Sequence, residues 1–156
     1  MKTFAIFFVI LFINPILCEN DVQINPTGTY KLKSKTIKKG NDVFGYTGEA
    51  EVIQINPNRI IMAFWICKGA PSYNSGSFID TLTYNDNTAI YTDPDTDSTC
   101  VITFQFTKMG LAIKEETADY NFGCGFGHAV VADGLFYKKI SSKPPVIKES
   151  ELFNNL

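Results

Sequence analysis

A single histidine, His128, is present in 156 residues, so any catalytic or metal-binding arrangement needing two imidazoles is excluded. Positive charge is also short: the formal net charge is −2, and −3 if Lys2 is removed with a leader. Binding to a phosphate backbone requires a clear basic excess, so nucleic acid is excluded as a general partner. After the first eighteen residues no apolar run approaches the roughly 20 residues that a membrane-crossing helix needs. No segment beyond the leader carries a convincing helical period, the end of the chain aside. There is no Asn-x-Ser/Thr acceptor for glycosylation, and no pair of carboxylates set up like those of a glycosidase. Glu49 and Glu51 share one strand face with no acid opposite, and Glu115 and Glu116 fall on opposite faces.

The N-terminus is rich where the rest is poor. Lys2 is followed by an apolar run from Phe4 to Ile13, then Asn14 to Cys18, and the chain turns polar at Glu19-Asn20-Asp21. A basic start, about ten apolar residues and a small residue at the break describe an export signal over residues 1–18. The working chain then begins near Glu19 and has 138 residues, 156 less eighteen, the length of one domain able to bury a core without a metal. Cys18 is either removed or becomes the lipid-bearing first residue of a lipoprotein. Leu17, standing where lipoprotein signals carry a small residue, argues against the lipid anchor. Cys67, Cys100 and Cys124 remain, and an oxidising compartment implies one disulfide and one odd thiol. Three pairings are open; Cys100–Cys124 is favoured because it closes a loop of medium length.

The remainder reads as strands and turns. Gly28 to Ile37 alternates, with Tyr30 and Leu32 on one face and Lys31, Lys33 and Lys35 on the other. Tyr46 to Ile55 follows, then the apolar stretch Arg59 to Cys67, which suits a strand buried on both faces. Ser77 to Tyr84, Thr88 to Tyr91, Val101 to Thr107 and Leu111 to Thr117 continue the series. Ile102, Phe104 and Phe106 share a face. A last strand pair around Asp133-Gly134 ends at Lys139. About eight short strands joined by tight turns predict an all-β domain over residues 19–140, a single antiparallel β-barrel, with a β-sandwich as the alternative. Residues 141–156, opening with two prolines, are expected to form a loose tail.

Several residue sets invite chemistry and lose it on inspection. Cys124 and His128 resemble a thiolate pair, but the cysteine is expected in a disulfide and the histidine on a strand. Asp93, Asp95 and Asp97 have the spacing of a calcium loop. Ser98 stands where its glycine belongs and Phe104 where its bidentate glutamate belongs, so a solvated hairpin loop is the better reading. The glycines from Gly123 to Gly127 lack the strand and helix of a nucleotide fingerprint and fit a bulge or a close backbone crossing. Five lysines between Lys31 and Lys39 fit an edge strand guarded against aggregation, or a patch for an acidic partner or anionic cell-surface polymer. Trp65, Phe104 and Phe106 could line a cavity for a small apolar ligand, although core packing explains such residues equally. No residue set calls for a cofactor.

The segments Cys100-Val101-Ile102-Thr103-Phe104, Leu111-Ala112-Ile113-Lys114, Cys124-Gly125-Phe126-Gly127 and Ala132-Asp133-Gly134-Leu135-Phe136-Tyr137-Lys138 together resemble small exported bacterial β-domains. These are the lysozyme-inhibitor-like proteins and the uncharacterised lipoproteins akin to them. The likeness spans residues 28 to 140 and rests on short motifs. It implies a barrel at the cell surface, in the periplasm or outside the cell, that binds a macromolecule and catalyses nothing. In the membrane-associated inhibitors a Ser-Gly-x-x-Tyr loop plugs the lysozyme cleft. Here Ser75-Gly76-Ser77-Phe78-Ile79 keeps its start and lacks its tyrosine. The family's second signature, a tyrosine with a following lysine, is met only by Tyr30-Lys31-Leu32-Lys33. The expected contact residues are therefore Tyr73, Ser75 and Gly76 in the Pro71 to Gly76 loop, with Lys31 and Lys33 on a basic edge.

Overall fold

The computed structural model describes residues 23–147. The expected export signal, Cys18 and the end of the expected tail lie outside the described residues. Nine strands run in chain order: β1 (Gly28–Leu32), β2 (Ile37–Lys39), β3 (Asp42–Asn56), β4 (Arg59–Gly69), β5 (Ser75–Asn85), β6 (Thr88–Asp93), β7 (Asp97–Phe106), β8 (Gly110–Glu116) and β9 (Phe136–Ser141). Each of β3 to β8 pairs antiparallel with its successor, and β1 pairs with both β9 and β3. Eight strands thus close a barrel in up-and-down order, and the short β2 folds against the start of β3 outside the wall. Closure leaves no long open edge, and the barrel reading of the strand pattern holds.

Turn chemistry sets the register. The β5–β6 hairpin turns through Asp86 and Asn87, both at positive φ (46° and 60°). This is the mirror-image turn whose twist matches flanking strands and which tolerates Asp and Asn. Asn87 is buried, and its side-chain oxygen accepts from the Ile24 N–H at 2.6 Å and the Tyr84 hydroxyl at 3.2 Å. The segment before β1 is thereby stitched across this end of the barrel.

Alternation fills the interior. Ala50 and Val52 of β3, Ile60, Met62, Phe64 and Ile66 of β4, and Ile102, Phe104 and Phe106 of β7 all point inward and are buried. Phe64 sits centrally, its ring centroid 5.4 to 6.2 Å from those of Phe78, Phe104, Phe126 and Tyr137. Such aromatic neighbours are worth roughly 0.5–1.5 kcal/mol per pair beyond burial. Buried tyrosines keep their hydroxyls paired with backbone carbonyls: Tyr84 with Ile24 at 2.7 Å and Tyr30 with Pro26 at 2.5 Å. Burial pushes the Tyr84 phenol up to about 12.

Four expectations need correction. β4 is buried on one face only: a barrel has an outside, and Trp65 lies on it at 43% exposure. Gly28 to Ile37 is not one strand, because β1 ends at Leu32 and the chain restarts as β2. Lys31 therefore sits on a strand paired on both sides, and only Lys38 and Lys39 occupy the short outer strand. The strand pair near Asp133-Gly134 is a single strand, β9, which runs on to Ser141. Between Glu116 and Phe136 the chain instead makes a long connection across the barrel mouth, with one 3-10 turn at Gly123–Gly125. His128 lies exposed in this connection, not in a strand.

Candidate functional site

The connection between β8 and β9 is held down at many points. Cys124 forms a disulfide with Cys100 of β7, leaving Cys67 as the free thiol among the described residues. Asp97, read as one member of an acidic loop, accepts from Thr99 Oγ1 at 2.6 Å, Thr117 Oγ1 at 2.7 Å and the Cys124 N–H at 3.1 Å. The bonds from Thr99 and Thr117, together with the Cys124 N–H, hold its carboxyl well below the ordinary carboxylate range. Gly127 N–H donates to the Ser75 carbonyl, and the Tyr46 hydroxyl bridges the Ala129 carbonyl and the Val131 N–H. Phe126 drops inward onto Phe64 and covers Gly76, where a Cβ would fall inside its ring. Glycine at 76 is what lets the lid close.

Tyr73, Ser75 and Gly76 are thus separated in role. Ser75 and Gly76 belong to β5, paired with Cys67 and Ile66, and Gly76 is buried under Phe126. The loop tip is Gly69 to Asn74, turning through a cis Ala70-Pro71 bond with Tyr73 at φ 53°. Tyr73 is 45% exposed, and its hydroxyl donates to Asp42 Oδ1 at 2.9 Å while accepting from the Val43 N–H. Next to it Asn74 Nδ2 donates to the His128 carbonyl at 2.8 Å. The His128 ring packs edge-on against Phe122 at 5.1 Å, and Phe122 is 63% exposed. Tyr73, Asn74, His128 and Phe122 therefore form a continuous row across one mouth of the barrel, contributed by two connections fixed to a rigid wall. Phe122 was not legible as a contact residue, because nothing local distinguishes it from the buried Phe126 four residues on.

Lys31 and Lys33 lie elsewhere, on the outer wall, and are not brought to Tyr73. Lys31 reaches Glu49 Oε2 only at 4.0 Å. The proposed cavity set is also split: Phe104 and Phe106 are inside while Trp65 is outside. Among the described residues no group of three or more His, Cys, Asp or Glu could hold a metal ion. In the acidic loop Asp93 Oδ1 accepts from the Thr96 N–H at 3.2 Å, and Asp97 is taken up by the bonds given above.

One ionisable group is buried at this mouth. Glu115 Oε2 accepts from the Ala132 N–H at 2.6 Å, while Oε1 is buried with no protein partner. Desolvation raises its pKa, and Asp133 and Asp97 add to the rise. A raised folded value favours the protonated form. Its contribution to stability is therefore fully present below the ordinary 4.5 and falls as pH rises through the folded value. Glu115→Gln is expected to raise stability at pH 7 by about 1 kcal/mol and to do little at pH 4. Melting curves at the two pH values check this, and an equal gain at both would refute the assignment.

Comparison with protein-family models, curated proteins and solved structures finds no match to this chain.

Proposed function

We propose that this chain is an exported, non-catalytic binding domain whose lidded mouth docks into a partner protein, in its most concrete form the cleft of a lysozyme-type hydrolase. The observation that carries the reading is the row of Tyr73, Asn74, His128 and Phe122. Exposed aromatics on a rigid frame supply contact area at little conformational cost, and Tyr and Phe are enriched at protein interfaces. The Cys100–Cys124 disulfide and the leader-like N-terminus support an oxidising destination, and among the described residues no helix is long and apolar enough to cross a membrane. The likeness to lysozyme-inhibitor-like domains supplies the partner class. The plug is centred on Tyr73, with Ser75 and Gly76 acting beneath it as framework.

The test is a lysozyme assay with excess protein against hen-type, goose-type and invertebrate-type enzymes. Inhibition of at least one is expected, weakened tenfold or more by Tyr73→Ala and by Phe122→Ala, each equivalent to about 1.4 kcal/mol. Undiminished activity of all three enzymes would reject the inhibitor reading.

A further inference from the structure

A chain of net charge −2 gathers five lysines in one groove of its wall. Lys31 and Lys33 come from β1 and the residue after it, Lys108 from the β7–β8 turn, and Lys138 and Lys139 from β9. The groove, about 730 Å³ in volume, has no carboxylate in its lining. Its floor and rim are apolar: Leu32, Met109, Phe136 and Ile140.

Ordinary explanations for surface lysines do not cover this arrangement. Guarding an open edge against aggregation requires an edge, yet β1 and β9 are each paired on both sides. Lys31 stands directly opposite Lys138 in the β1–β9 register, and like charges so placed are destabilising. Glu49, opposite Lys31 in the β1–β3 register, offsets that repulsion only across a long contact. The one ion pair in the groove is the long contact from Lys31 to Glu49, and Lys33, Lys108 and Lys138 have no ion pair among the described residues. Lys139 is already engaged, with Nζ 3.3 Å from the Asn25 carbonyl and 5.4 Å from the centre of the Tyr30 ring. Beside these charges Met109 is 73% and Ile140 56% exposed.

We propose that this groove binds a single-chain anionic amphiphile, a long-chain carboxylate whose head lies among Lys33, Lys108 and Lys138 and whose chain covers Met109, Ile140, Leu32 and Phe136. A purely hydrophilic polyanion would neutralise the lysines and leave the apolar rim wet. A neutral lipid would cover the rim and leave the repulsion in place. A ligand carrying both features answers both costs, and the groove's volume lies within the range of small-molecule sites. The site is on the wall, away from the Tyr73 row, so it stands or falls independently of hydrolase inhibition.

Methionine methyl NMR on the folded protein tests this with laurate below its micelle concentration. Met109 reports on the groove, and Met62, fully buried in the core, reports on the interior and on folding. A saturable shift at Met109 with Met62 unmoved is expected. Affinity should fall at least tenfold with dodecanol in place of laurate, and at least tenfold in Lys108→Glu/Lys138→Glu, whose unchanged Met62 signal certifies its fold. Acetate should give no shift. The proposal is overturned by the absence of a saturable Met109 shift, by a shift at Met62 alone, or by undiminished binding in the charge-reversed variant. A Met109 response to phosphatidylglycerol vesicles but not to laurate would also overturn it, pointing to a membrane surface instead.

Discussion

Phe126→Ala is expected to lower unfolding free energy by about 3–4 kcal/mol, the range for removing a buried aromatic ring. Phe126 touches Phe64, the centre of the aromatic cluster, and rests on the Cα of Gly76. Truncation leaves a cavity at the barrel mouth that the walls cannot collapse to fill, because both sides are hydrogen-bonded sheet. The reciprocal change, Gly76→Val, should cost roughly 3 kcal/mol by forcing the same ring out, at the upper end for overpacking. Urea denaturation measures both. A loss below 1 kcal/mol in either variant would mean that the ring does not close the mouth. Both variants should also lose partner binding, since the connection carrying Phe122 and His128 would no longer be held beside Asn74.

Removing the disulfide is expected to be the next largest effect. Cys100 and Cys124 are 24 residues apart in sequence. Releasing a loop of that size restores entropy to the unfolded chain worth about 3 kcal/mol in the loop-closure account. Cys100→Ser/Cys124→Ser should therefore lose about 3 kcal/mol of unfolding free energy in urea titrations, and reductant should reproduce the loss in the parent protein. The Asp97 bonds to Thr117 and Cys124 hold the same connection, so the cross-link and the carboxylate act on one element. Their effects should not be additive. As Asp97's folded value is depressed, its share of the stability is present above the ordinary 3.8 and is lost as pH falls through the folded value. That is opposite in sign to Glu115. An unchanged urea midpoint on reduction would contradict the loop-closure argument.

The barrel was legible because period-two alternation survives along β1 and β7, and because tight turns such as Asp86-Asn87 join neighbours. Loop length only favoured Cys100–Cys124 among three open pairings, and that is the bond the structure forms. The failures have physical causes. A strand as apolar as Arg59 to Cys67 hides its outward face, since Ile61, Ala63 and Trp65 differ from their inward neighbours in exposure and not in chemistry. The long connection over the mouth looked like strand and glycine-rich turn because its order comes from distant partners: Tyr46, Ser75, Asp97 and Cys100. Gly76 looked like the end of the Pro71 to Gly76 loop, and only the position of Phe126 gives it meaning. The lysine groove was half visible. Lys31 and Lys33 stood out, while Lys108, Lys138 and Lys139 join them only through the closure of β1 onto β9.

The most direct measurement is a hydrogen-exchange footprint of the protein alone and with whichever lysozyme it inhibits. Slowed exchange confined to residues 70–74 and 120–128, with the β1–β9 wall unchanged, is the outcome that docking through the lidded mouth requires. Slowing along β1 and β9 with the mouth unaffected, or no slowing anywhere at saturating partner, would contradict it.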